Sequence, residues 1–113
     1  MMKNFKILSA IAVMLISAAA FAEPHLDEAI KHATEAVKAG KAGKSHDLVM
    51  HAEPAMEHAL SADTVAHGPA KGHFADAITD LEEAIKHGKM LHGEIATTYA
   101  ETALEHLKAA NKK

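Results

Sequence analysis

Four short phrases in this chain end on histidine: Ala29-Ile30-Lys31-His32, Ala55-Met56-Glu57-His58, Ala84-Ile85-Lys86-His87 and Ala103-Leu104-Glu105-His106. Ten histidines occur among 113 residues, and no cysteine. Neutral imidazole is a ligand for copper(II), nickel and zinc, with carboxylate as an accessory donor. Lack of cysteine disfavours a thiolate copper(I) site and removes any disulfide framework. Protons compete with metal for imidazole, so uptake is expected to weaken below about pH 6.5, where an ordinary histidine charges.

Stepping seven residues along an α-helix returns to nearly the same flank. From His32 this step reaches His25, from His58 it reaches His51 and then Lys44, from His87 it reaches Asp80 and His73, and from His106 it reaches Tyr99 and His92. Eight histidines therefore share equivalent helical stripes, with alanines between them, and only His46 and His67 fall outside. Residues seven apart are separated by about 10.5 Å along the axis, whereas a histidine nitrogen sits about 2 Å from its metal. Two histidines of one stripe cannot share an ion, so partners must come from a neighbouring helix or from a carboxylate one turn away. Glu28 with His32, Asp47 with His51 and Glu83 with His87 are such pairs, and Asp80 sits within a stripe. The expected metal ligands are His25, His32, His51, His58, His73, His87, His92 and His106, supported by Asp80, Glu28, Asp47 and Glu83. Met50 and Met56 are expected to pack rather than ligate.

The elements carrying these stripes are helical. Ala, Glu, Lys, Leu and Met dominate, all strong helix formers. Pro24 suits a first helical turn, Leu26, Ile30, Ala33 and Val37 recur at helical spacing, and Gly40 and Gly43 end the segment. A second helix is expected from a Ser45 cap, burying Val49, Ala52, Met56, Ala59 and Leu60, with Pro54 bending it. Residues 63–72 form the longest expected connection. A third helix from about His73 to Gly88 buries Phe74, Ile78, Leu81 and Ile85, and a fourth runs from about His92 to Ala110 through Ala96, Ala100, Leu104 and Leu107. Short loops favour an all-α, up-down-up-down antiparallel four-helix bundle, a monomer whose small side chains bury modest area.

Residues 1–22 read as a secretory signal: Lys3 and Lys6, an apolar run from Ile7 to Ala19, then Ala20-Phe21-Ala22. The run is too short to span a bilayer, and no cysteine follows it for lipid attachment. Residues 23–113 are expected to be the mature domain in the periplasm, with no membrane association after cleavage. Twelve lysines and no arginine stand against fifteen carboxylates, which argues against nucleic acid, where phosphates must be neutralised.

With these residues in view, the chain resembles the small metal-binding protein family (SmbP). The resemblance spans about residues 25–110 and rests on His25-Leu-Asp-Glu-Ala-Ile-Lys-His32, His51 to His58, Ala84-Ile-Lys-His87-Gly88, His92-Gly93 and Ala103-Leu-Glu-His106-Leu107. It implies a periplasmic four-helix bundle that binds several divalent ions, copper prominent among them, in metal management; any partner for delivery is unnamed. Asp80, Tyr99 and Lys44 stand where that pattern would carry histidine, so fewer or weaker sites are expected.

Other chemistries fit poorly. Glu23-Pro24-His25 imitates an amino-terminal copper motif, but Pro24 has no amide proton to lose. Glu-x-x-His pairs for a di-iron bundle, a His-Glu-x-x-His helix and covalent haem attachment are absent, and no nucleophile stands beside a base, so no enzyme is expected. The competing class is a pH-responsive interaction or chaperone-like bundle, with histidines as charge switches. Strong pH-dependent opening in metal-free melts, with negligible metal binding, would favour it.

Overall fold

The computed structural model describes residues 23–111, so the signal segment expected at residues 1–22 lies outside the described residues. Helix α1 covers residues 23–41, α2 Ser45–Val65, α3 Pro69–Lys89 and α4 Gly93–Ala110. No strand occurs among the described residues, and the four helices form an antiparallel bundle. Consecutive helices are neighbours, α4 returns beside α1 through Lys41–Glu101 at 3.7 Å, and α2 and α4 lie across the diagonal with little contact.

The first and third turns are closed by backbone alone. Lys44 N–H donates to Ala39 O at 2.9 Å and Gly43 N–H to Gly40 O at 3.0 Å, with Gly43 at φ +77°. His92 N–H donates to His87 O at 2.8 Å and Leu91 N–H to Gly88 O at 3.1 Å, with Leu91 at φ +62°. Both are Schellman endings, which satisfy the last helical carbonyls through a left-handed residue. Glycine adopts that conformation freely; Leu91 does so at a cost of about 1 kcal/mol.

Several sequence expectations change here. Ser45 is the first residue of α2 and its side chain does not cap; Lys44 holds the cap position, because the Schellman turn already fixes chain entry. Helix α3 starts at Pro69, since proline fits the first helical position and Gly68 at φ +63° supplies the turn before it. The connection shrinks to residues 66–68. Leu60 is 45 % exposed and Met50 55 %, so neither packs inside. Ile78, Leu104 and Met56 lie only partly buried at the core margin, and α2 continues through Pro54.

Alanine takes the central positions instead. Ala29, Ala33, Ala36, Ala52, Ala55, Ala59, Ala62, Ala77, Ala84, Ala96, Ala100 and Ala103 are wholly buried, with Leu48, Leu81 and Leu107 as the bulky fillers. Side chains this small allow axes to approach toward the short end of the usual 8–10 Å range.

The bundle is also internally twofold. Residue n of the first hairpin corresponds to residue n + 48 of the second: His25 and His73, Ala29 and Ala77, Ile30 and Ile78, Glu35 and Glu83, Ala36 and Ala84, Gly40 and Gly88, Lys41 and Lys89, Glu53 and Glu101, Glu57 and Glu105, His58 and His106. Contacts obey the same relation. Lys41–Glu101 is mirrored by Lys89–Glu53 at 4.0 Å. Gly40 lies against Thr97 as Gly88 lies against Val49, and Ser45 faces its own counterpart, Gly93. The positive-φ residues Gly43 and Leu91 are counterparts too. The fold is two copies of one helical hairpin packed face to face.

Candidate metal centre

Two antiparallel helices bearing histidines at seven-residue intervals bring one stripe against the other, layer upon layer. Along the α1–α2 seam, His25 Nδ1 and His58 Nδ1 are 3.0 Å apart. His32 lies between His58 and His51, its ring stacked at 5.9 Å from the first and 6.1 Å from the second. Glu28 reaches back one turn to His32 Nε2 at 3.8 Å. Ligand atoms of Glu28, His32 and His58 all fall within 4.8 Å of one another.

The α3–α4 seam carries two separate groups. Towards the α2–α3 connection, His73 Nδ1 and His106 Nδ1 are 3.5 Å apart. His106 also faces two carboxylates, Asp76 at 4.0 Å and Asp80 at 3.9 Å. At the α3–α4 turn, His87 Nδ1 and His92 Nδ1 are 3.3 Å apart, Glu83 lies 3.6 Å from His87, and the Tyr99 ring stacks on His87 at 5.7 Å.

Each imidazole contact of this kind needs one ring as donor and the other as acceptor, which neutral histidines supply by adopting complementary tautomers. The separations have a second meaning. Two ligands held about 2.0–2.1 Å from one ion lie about 2.9 Å apart at right angles and about 3.4 Å apart in a tetrahedron. Pairs at 3.0, 3.3 and 3.5 Å already match that edge.

Burial separates seven of the eight stripe histidines from the other two. His25, His32, His51, His58, His73, His87 and His106 are partly buried in the seams, while His92, at the turn, is exposed, as are His46 and His67. Burial raises the Asp80 carboxyl above the usual 3.8, His106 opposes the rise and Asp76 adds to it. An ionised Asp80 is thus poorly solvated, and a bound cation would relieve it.

The expected residues are therefore gathered into groups, with one outlier. Asp47 sits in the first turn of α2 and forms no ion pair with His51 among the described residues. Asp76 was not anticipated, because it meets His106 across the seam; its only sequence trace is its place one turn from both His73 and Asp80. Tyr99, expected as a poor substitute for histidine, is placed as a ring neighbour of His87. Among the described residues no helix is long and apolar enough to cross a membrane.

No curated protein matches the chain. Among known families, the match is to the small metal-binding protein family, over residues 2–110. That match spans nearly the whole chain, and this chain belongs to the small metal-binding protein family.

Proposed function

We propose that this protein is a periplasmic buffer for divalent transition metals, taking copper(II) preferentially and also nickel or zinc. The carrying observation is three imidazole pairs at 3.0–3.5 Å, each formed between two helices or a helix and the cap of the next. Nitrogen donors, carboxylates within one turn and no thiolate suit copper(II) best among these ions, by donor type and by the general order of divalent affinities. Partial exposure of the seams lets ions enter and leave, as a reversible store requires. No step of bond making falls to the protein, so its role is binding rather than catalysis.

Metal and fold are coupled. The ligands converge only when the helices pack, so each bound ion stabilises the folded state. Export follows from the segment ending Ala20-Phe21-Ala22, with cleavage after Ala22 and a monomer as the working form. Titration calorimetry of residues 23–113 with copper(II), nickel(II) and zinc(II) tests the reading: saturable binding and a raised melting temperature are expected. Lack of binding by all three at micromolar concentration would end it. Fractionation and amino-terminal sequencing test the location, with Glu23 as the expected first residue.

A further inference from the structure

The two hairpin turns are counterparts, so each shows which side chains the other's fold requires. The α1–α2 turn reads Ala42-Gly43-Lys44-Ser45-His46-Asp47, and the α3–α4 turn reads Met90-Leu91-His92-Gly93-Glu94-Ile95. Both close through the same backbone hydrogen bonds. Where the first carries alanine, glycine and aspartate, however, the second carries methionine, leucine and isoleucine, all three exposed. Leu91 is 78 % exposed and stands at φ +62°, a conformation that disfavours a side chain and that Gly43 meets freely. A Cβ at Gly43 would touch nothing within 4 Å, so the turn itself needs no side chain there. Met50, also exposed, has the polar Thr98 as its counterpart. Four large apolar side chains thus lie open at one end of the bundle, where the other copy of the same structure does without them.

We infer that this end of the bundle is a docking surface for a second copy of the chain, which pairs transiently through Met50, Met90, Leu91 and Ile95. Met50 and Leu91 wall a recess of about 340 Å³ between α2 and α3, with Val49 and Gly88 also lining it. A projecting Leu91 and a recess able to receive one lie on the same face, which is what a twofold contact between identical surfaces needs. Charge separates this occupant from an anionic lipid surface. Lys38, Lys41 and Lys89 are paired with Glu35, Glu101 and Glu53. Lys44 and Lys86 are then balanced by Asp47 and Glu94 at the same end. An end with no surplus of positive charge has little to hold it to anionic lipid, whereas two such ends meet without net repulsion. The exposed apolar area is on the order of 400 Å², the size at which a patch on a monomer marks a contact site. Pairing buries on the order of 1,000 Å² from both copies, at the low end for a specific interface. The monomer therefore prevails at micromolar concentration and the pair forms at about millimolar. His92 lies between Leu91 and Ile95, so pairing covers the one stripe histidine that is exposed.

Exchange between the two turns tests this. Residues 23–113, kept metal-free with chelator, are followed from micromolar to millimolar concentration by sedimentation velocity and by amide NMR. The sedimentation coefficient of the wild type should rise with concentration, and the amide shifts that move with it should cluster at residues 46–50 and 88–95. Met90→Ala/Leu91→Gly/Ile95→Asp gives the second turn the residues of the first, and should weaken association at least tenfold. The α1–α2 turn already closes with those residues, so the variant keeps the fold, and circular dichroism checks that it does. Met50→Thr, which installs the counterpart residue on α2, should weaken association by itself. A wild type still monomeric at millimolar concentration overturns the proposal, as does association undiminished in the exchanged turn or shifts that move elsewhere. Co-sedimentation of the monomer with phosphatidylglycerol vesicles, lost in the exchanged turn, would overturn it in favour of a lipid surface. Metal is absent throughout, so none of these outcomes depends on the metal-binding reading.

Discussion

Gly88 and Gly72 lie in the same helix, and the same substitution should move stability in opposite directions. Alanine for glycine inside a helix ordinarily gains about 0.5–1 kcal/mol, by restricting the unfolded chain. A Cβ at Gly72 meets nothing within 4 Å, so Gly72→Ala keeps that gain. A Cβ at Gly88 lands 2.6 Å from Val49 Cγ2 and 3.4 Å from Leu48 Cδ2. Carbon atoms settle at about 3.5–4.0 Å, so α2 and α3 must part by about 1 Å. Overpacking of this kind costs about 1–3 kcal/mol, leaving Gly88→Ala net destabilised by about 0.5–2 kcal/mol. For a domain of this size 1 kcal/mol corresponds to about 4–8 °C. Thermal melts by circular dichroism, metal-free and at one pH, should show Gly72→Ala rising by about 3 °C and Gly88→Ala falling by about 5–10 °C. Gly40→Ala, whose Cβ meets the Thr97 and Leu48 side chains, should fall like Gly88→Ala. If Gly88→Ala melts as high as Gly72→Ala, the close helix approach inferred at that point is wrong.

Three further outcomes are expected. His58 contacts both His25 and His32; with site energies of about 10–16 kcal/mol spread over four ligands, His58→Ala should weaken the tightest copper site about 100-fold in calorimetry, whereas the exposed His46→Ala should leave it unchanged. Tyr99 is the sole tyrosine and tryptophan is absent, so intrinsic fluorescence reports the ring stacked on His87; copper(II) should quench it, and His87→Ala should abolish the quenching phase. Burial raises the Asp80 carboxyl above 3.8, so the folded chain holds this proton more tightly than the unfolded one. Stability from this group is therefore lost as pH climbs from 3.8 through the raised value and stays lost above it. Asp80→Asn should melt higher than wild type at neutral pH, metal-free, with the difference vanishing in acid; equal melts across the range would contradict the assignment.

Local order in the sequence carried much of this fold. Seven-residue spacing identified the stripes, and Glu28–His32 and Glu83–His87, one turn apart, do approach to 3.8 and 3.6 Å, although Asp47–His51 at the same spacing does not. What spacing cannot convey is which helix faces which. Asp76 meets His106 only through the α3–α4 register, and Asp80 approaches His106 across the seam rather than serving its own stripe. Leu60 looked central by hydropathy, yet the buried face of α2 runs through Ala55, Ala59 and Ala62 and leaves Leu60 exposed. Ser45 has the chemistry of a cap, but the competing backbone hydrogen bond of Lys44 to Ala39 fixes the turn without it.

The alanines between the histidines act as a ruler. Ala29 and Ala55 on one seam, Ala77 and Ala103 on the other, are buried completely, and their size fixes how far apart the stripes stand. Leucine in their place would bury more apolar area, but only by moving the helices apart. Here a widening of about 2 Å, the range between thin and thick helix contacts, would carry the 3.0–3.5 Å imidazole pairs beyond the span of one ion. The ordinary route to a sturdier bundle is therefore closed to this chain: a core large enough to do without metal would be too wide to bind it.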